Sequence, residues 1–270
     1  MKLPHALLAL QAIAGREVAK FVRQGGRFAS ALVRPLLWLV VFAAGFQNVF
    51  GVSIIPPYET YIKYEVYIVP GLLGMVLLFN GMQSSLAMVY DREMGMMRLL
   101  LTAPLPRSFL LFAKLLAGTL LSVLQAYVFL VIAALFGVDL PWSGWLYALP
   151  VVVLAGMMLG ALGLLLSVHV KQLENFAGTM NFVIFPMFFI SPALYPLWKL
   201  EESGAAVIHL IAQWNPFTHA VEAIRFALYG QLAGLSLAIV AGCLALFFAL
   251  AARGYDPQRG IARRPPGKPA

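Results

Sequence analysis

Residues 66–90 read VYIVPGLLGMVLLFNGMQSSLAMVY, with no charged side chain from end to end. A helix that crosses the hydrocarbon core of a bilayer needs about 20 mainly apolar residues, so this stretch is long enough to span. It ends abruptly in residues 91–114, DREMGMMRLLLTAPLPRSFLLFAK, which open on three charges and carry two prolines. An apolar run stopped by a charged cluster is what a helix looks like as it leaves a membrane. Five further stretches have the same character: 28–49, 115–137, 145–168, 176–195 and 232–252. Their apolar residues are continuous and do not alternate with period two, which excludes a β-barrel. The expected fold is an all-α polytopic membrane protein with six transmembrane helices.

Composition agrees. The chain of 270 residues is 61% hydrophobic and 11% charged, against about 45–50% and about 25% in soluble domains. That excludes a soluble enzyme or soluble binding module. The 23 Gly and 17 Pro follow no repeat, which excludes a fibrous or low-complexity chain. Cys243 is the one cysteine, and His5, His169, His209 and His219 are scattered. No metal cluster and no catalytic residues are expected.

The net charge of +8 is explained by position. With six spans, Lys2, Arg16, Lys20, Arg23, Arg27, Arg92, Arg98, Arg107, Lys114, Lys171, Arg253, Arg259, Arg263, Arg264 and Lys268 share the side of the termini. Lys63, Lys199 and Arg225 fall on the other, and Arg34 lies near the start of the first span. Positive residues concentrate on the cytoplasmic side. Both termini are therefore expected in the cytoplasm of a bacterial-type inner membrane, with the lipid bilayer as a partner and no nucleic acid.

Three domains of unequal kind result. Residues 1–27 are read as an amphipathic interfacial helix. Leu3, Leu7, Leu10, Ala14, Val18 and Phe21 share one face, and Arg16, Lys20, Arg23 and Arg27 the opposite one, the pattern of a helix lying in the headgroup plane. A cleaved signal peptide would leave four basic residues outside, so the interfacial reading is preferred, with Gly25-Gly26 as the hinge. Residues 28–252 form the six-span body, and residues 253–270 a basic cytoplasmic tail.

Two connections are too long to be turns. In the cytoplasmic segment 91–109, Met94, Met97, Leu100 and Leu101 recur at helical spacing before Pro104 and Pro106 stop the helix. A short Met-rich helix there is either a docking knob for a partner or an interfacial loop helix. The external segment 196–230 holds two short amphipathic helices separated by Asn215-Pro216, with Glu222 and Arg225 at i, i+3 where they are able to pair. It reads as a hairpin dipping into the outer leaflet or as a lipid-surface cap.

At these residues the chain resembles an ABC-2 type permease, the membrane subunit of ABC exporters with the type V fold. Three places carry the resemblance. Arg34-Pro35-Leu36 follows the interfacial helix as it does the family's elbow helix. Arg92-Glu93-Met94-Gly95, Leu99 to Pro104, Arg107 and Lys114 resemble the family's coupling segment, with Met96 where members usually have Thr. Asn215-Pro216-Phe217-Thr218 and Val221 to Arg225 are similar to its external signature.

The resemblance implies an elbow helix, a cytoplasmic coupling helix and external re-entrant helices between spans five and six. It implies two copies forming a homodimer around a central pathway. Each copy docks a separate ABC ATPase (nucleotide-binding) subunit through Arg92, Glu93, Gly95, Met97, Arg98 and Leu101. ATP and Mg belong to that partner: the chain has no G-x-x-x-x-G-K-[ST] loop with which to cradle phosphates, and it is expected to bind no cofactor itself. The external signature falls on Asn215, Pro216, Glu222 and Arg225. The implied function is ATP-driven export of a lipid-like, amphipathic or glycan-type substrate. Related permeases export drugs as well, or belong to alcohol-oxidation systems.

Polar side chains within spans are costly in hydrocarbon and tend to face protein or a water-lined path. Asn80, Gln83, Gln125 and Asn181 are the candidates to line a pathway; the alternative for each is interhelical hydrogen bonding. Pro186, Ser191 and Pro192 are expected to kink the fifth span. Gly156-x-x-x-Gly160 and Gly234-x-x-x-Ala238-x-x-x-Gly242 permit close helix contact. No Asp, Glu or Lys sits centrally in a span, which argues against a proton- or sodium-driven transporter. The rival class, a membrane enzyme acting on lipids, would need paired carboxylates or a His cluster at the interface. Asp91 and Glu93 are the only close cytoplasmic pair, and both suit a helix end.

Overall fold

The computed structural model describes residues 8, 10–16, 19, 25–46, 56–60, 62–94, 106–170 and 172–255. Among them the chain is helical, with no strand. In order come α1 (Gly25–Phe46), α2 (Tyr64–Glu93), α3 (Arg107–Leu135), α4 (Trp142–His169), α5 (Leu173–Phe189), α6 (Trp198–Glu202), α7 (Ala206–Trp214), α8 (Pro216–Leu228) and α9 (Gly234–Gly254). Four of these, α2, α3, α4 and α9, are long and apolar enough to cross a membrane. The protein is a membrane-embedded, multi-pass helical chain.

The centre is α2, whose longest buried run is Val66 to Phe79. It packs most extensively on α4 and also meets α3, α1, α5 and α8. Small residues set the α2–α4 distance. A Cβ added at Gly81 would lie 3.0 Å from the Gly160 backbone, so the two helices touch main chain to main chain. The expected close helix contact is therefore made at Gly160, while a Cβ at Gly156 would meet side chains, Thr119 Cγ2 at 3.2 Å and Leu77 Cδ2 at 3.5 Å. The second, at Gly234 and Gly242, has no neighbour within 4 Å among the described residues, because that face of α9 points outward. Hydroxyls in the packed seam turn back on their own helices: Ser85 Oγ donates to Gly81 O (3.0 Å), Thr119 Oγ1 to Leu115 O (2.8 Å) and Ser122 Oγ to Gly118 O (2.8 Å). Each polar group is thus satisfied without water.

Several boundaries differ from those read from sequence. α3 starts at Arg107, eight residues before the apolar run, since nothing after Pro106 breaks the helix. Gly25 and Gly26, expected as a hinge, are the first residues of α1. The fifth stretch yields only Leu173–Phe189, which at about 1.5 Å per residue is roughly 26 Å long. Ser191 and Pro192 end it with a turn, so Pro192 does not kink a continuing helix; Pro186 alone lies inside. Of the N-terminal segment, residues 10–16 are helical. Ile13 is buried there against Leu110 and Ala113, the base of α3, with Leu10 beside them. Arg16 is exposed.

Candidate functional site

Three places in this bundle hold the residues that sequence singled out: the C-terminal end of α2, the corner where α8 meets the end of α5, and the flank of α2 beside α1.

At its C-terminal end α2 finishes in Asp91, Arg92 and Glu93, and each holds a different neighbour. Lys114 Nζ on α3 donates to Asp91 Oδ2 at 3.1 Å, with both side chains largely buried. Arg92 Nη2 donates to the carbonyl of Val170 at 2.7 Å, just past the last residue of α4. Glu93 Oε1 accepts from the backbone N–H of Leu173 at 3.0 Å, the first residue of α5. A carboxylate at a helix N-terminus satisfies an orphan donor and meets the positive end of the helix dipole. Arg92 and Glu93 thus pin the α4–α5 connection from both sides. Tyr255, directly after α9, is buried near them against the cluster of Met88, Leu111 and Leu115. Burial pushes its phenol up to about 12, with Arg92 and Arg107 opposing that rise. Gly95, Met97, Arg98 and Leu101, the rest of the expected docking helix, lie outside the described residues.

The corner between α5 and α8 is built on Asn215 and Arg225. Asn215 is the N-cap of α8, with Pro216 at its first position. Its Oδ1 accepts from Phe217 N at 3.0 Å. Its Nδ2 donates to Met187 O at 2.7 Å and Ile190 O at 2.8 Å, carbonyls at the broken end of α5 that have no continuing helix to serve. One side chain therefore starts α8 and finishes α5. Pro216 brings a fixed φ suited to a first helical residue and lacks only an N–H that would be orphaned there.

Arg225 is buried. Its Nη2 donates to Pro192 O at 2.5 Å, and its guanidinium carbon sits 4.3 Å above the Tyr67 ring. Tyr67 donates to the same Pro192 carbonyl at 3.1 Å, and Tyr64 to Leu194 O at 2.7 Å. Tyr58 packs against Tyr67 and Tyr229; burial raises its phenol pKa, opposed by the Arg225 charge. The expected Glu222–Arg225 pair does not form. Glu222 instead accepts from Ser236 Oγ on α9 at 3.2 Å. At i, i+3 the two side chains diverge, with Arg225 turned to α2 and Glu222 to α9.

The four candidate pathway residues separate. Gln125 is buried on α3, two turns from Gly118 and so on the face that meets Ser84 of α2. Asn80 and Gln83 are half-buried on α2, and Asn181 is exposed on α5. The Asn80 amide nitrogen is buried and has no hydrogen-bond partner among the described residues. Beside these helices stands Arg34, which sequence placed near the start of the first span. Its guanidinium carbon is 4.0 Å from the centroid of the Phe79 ring, halfway along α2. Sequence reading missed this depth, and also the shared Pro192 carbonyl and the Asp91–Lys114 bond. The signal available for the last was Lys114 following the charged cluster in a segment already read as cytoplasmic.

The ABC-2 type transporter family model matches residues 9–229. The chain is 29% identical over 221 residues to a putative transport permease ycf38 of Porphyra purpurea, covering 80% of this chain and 72% of that one. It is 23% identical over 224 residues to the inner membrane transport permease YadH of Escherichia coli K12, covering 83% and 84%. Nodulation protein J of Rhizobium leguminosarum matches at 31% identity over 101 residues, 37% of each chain.

Proposed function

The chain belongs to the ABC-2 type transporter family, as a membrane subunit that is not itself an enzyme, and from that premise we propose that it is the permease of an ATP-driven exporter. Membership in the family implies pairing with an ABC ATPase subunit. In this reading the body crosses the inner membrane six times with both termini cytoplasmic. α1 and the short α5 are the spans that complete the four long ones. The N-terminal helix is an elbow at the lipid surface, and α6 to α8 form the external re-entrant cap. Two copies enclose a pathway along which a lipid-like, amphipathic or glycan-type substrate leaves the cytoplasm.

The observation that carries the reading is the double hold of Arg92 and Glu93 on the α4–α5 connection. Closure of two ATPase subunits displaces the segment after Glu93. Hydrogen bonds to Val170 O and Leu173 N pass that displacement to α5, and Asn215 links the other end of α5 to the external cap. A cytoplasmic push thereby reaches the outer gate through one short helix held by side chains at both ends.

The test is co-purification with the cognate ABC ATPase and measurement of ATP hydrolysis with and without substrate. The expected complex has two copies of each subunit. Glu93→Ala leaves that complex assembled but separates hydrolysis from transport. A Glu93→Ala complex that transports as well per ATP as wild type would reject the linkage, and a chain that binds no ATPase would reject the function.

A further inference from the structure

Arg34 is a cation in an unusual place. Phe79, over which it lies, is the sixteenth of the thirty residues of α2. At about 1.5 Å per residue the guanidinium is then roughly 20 Å from either end of that helix, near mid-depth in the membrane. The side chain is exposed on the surface of the chain, and among the described residues no carboxylate lies within ion-pair distance of it. The acidic residues of the spans, Glu65, Asp91, Glu93 and Glu174, all sit at helix ends, and Glu222 is in the external cap. An ionised side chain in hydrocarbon needs a partner or a water-lined path and marks a functional position.

The surroundings are graded. Outward from Arg34, Trp38 stacks on Phe42 (4.9 Å) and meets Phe188 and Phe189 edge-on or tilted (5.7 and 5.6 Å). Phe79 meets Phe185, which stacks on Phe189. Toward the cytoplasm, one turn from Phe79 on α2 is Gln83, and one turn from Phe185 on α5 is the exposed Asn181. A cation thus stands where amide side chains give way to an aromatic wall. That order matches an amphiphile with an anionic head: the head takes charge-assisted hydrogen bonds from a guanidinium, and the tail lies on the rings.

We infer that Arg34 anchors the phosphate or carboxylate head of an anionic amphiphile on the α1–α2–α5 flank, with Trp38, Phe185 and Phe189 against its alkyl chain. As a statement about cargo this rests on the export reading above; as a binding site it is measured separately.

The experiment uses the full chain in phosphatidylcholine nanodiscs, with brominated dodecyl phosphate as probe and tryptophan fluorescence as readout. Saturable quenching is expected, and Trp38→Phe removes it, which identifies the reporter. Arg34→Gln raises the half-saturating concentration about tenfold or more, and Arg34→Lys restores most of the affinity. Brominated dodecyl maltoside shows no saturable phase. Inorganic phosphate does not compete; displacement by it would make the ligand a free anion and overturn the amphiphile assignment. Equal affinity in Arg34→Gln, or equal quenching by the neutral probe, overturns the site. Absence of saturable quenching in the wild type, as when a second copy covers Arg34, overturns it too. Saturable binding without ATP-driven movement of the probe would leave the site standing and reject the export reading.

Discussion

Asn215 offers the sharpest prediction, because one side chain makes three hydrogen bonds that different substitutions remove selectively. Its Oδ1 caps α8, and its Nδ2 serves two carbonyls at the end of α5. A buried hydrogen bond contributes about 1 kcal/mol net, and an N-cap about 1 kcal/mol. Asn215→Ser keeps an N-capping oxygen and loses both donors, a loss of about 2 kcal/mol. Asn215→Ala loses all three bonds, about 3 kcal/mol. Asn215→Asp keeps the cap acceptor but turns a second oxygen toward the Met187 and Ile190 carbonyls in a site only 8% exposed. Burying a charge against like-polarity oxygens exceeds the loss of either bond, so this isosteric change is the most damaging of the three. The expected melting temperatures fall in the order Asn, Ser, Ala, Asp, read by tryptophan fluorescence on the purified protein in detergent. At roughly 2–4 °C per kcal/mol for a chain of this size, alanine lowers the midpoint by about 6–12 °C. An aspartate variant as stable as wild type would refute the account, because the α5 carbonyls would then not depend on an amide donor.

Three further outcomes follow from packing and charge. Gly81→Leu, whose Cβ would already lie 3.0 Å from the Gly160 backbone, forces α2 and α4 apart and is expected to destabilise by about 3 kcal/mol or more, whereas Gly242→Leu, with open space around it, leaves the melting temperature within about 2 °C; comparable losses in both would contradict the α2–α4 seam. Lys114→Met removes the 3.1 Å bond to the largely buried Asp91 carboxylate, an expected loss of about 2–3 kcal/mol, and in a double-mutant cycle with Asp91→Leu the two losses overlap; additive losses would show that the pair does not interact. Arg225→Ala removes the donor to Pro192 O and the cation over Tyr67, and is expected to lower stability by about 3 kcal/mol, against about 1 kcal/mol for Tyr67→Phe; equal effects would mean that the guanidinium does not hold the cap to α2.

The apolar architecture was legible because hydrocarbon demands long uninterrupted runs, and residues 66–90 state that demand without ambiguity. The corner before α8 was legible for a related reason: Asn-Pro at a helix start has a local chemistry that Asn215 and Pro216 fulfil. What sequence could not supply was the direction of side chains between elements. Glu222 and Arg225 stand three residues apart, a spacing that favours pairing on an isolated helix, yet packing sends one to Ser236 of α9 and the other to Pro192 beyond α5. The position of Arg34 against α2 was hidden for a similar reason. Its position in the first apolar run gives its distance from the start of that run, while its depth depends on how far α1 is shifted along α2. Glu93 was recognised for its family motif, but its partner Leu173 is eighty residues away, and no local pattern announces that bond.

The central claim is that ATP hydrolysis by a partner subunit moves an amphiphile through this chain, away from the cytoplasmic leaflet. The most direct measurement reconstitutes the permease–ATPase complex in vesicles with the ATPase outward, together with nitrobenzoxadiazole-labelled phosphatidate, and follows the fraction protected from external dithionite. The account predicts that ATP raises the protected fraction above the level seen without nucleotide, and that Glu93→Ala abolishes the rise while the complex stays assembled. A protected fraction indifferent to ATP in a complex that hydrolyses it, or one that falls, would contradict the account.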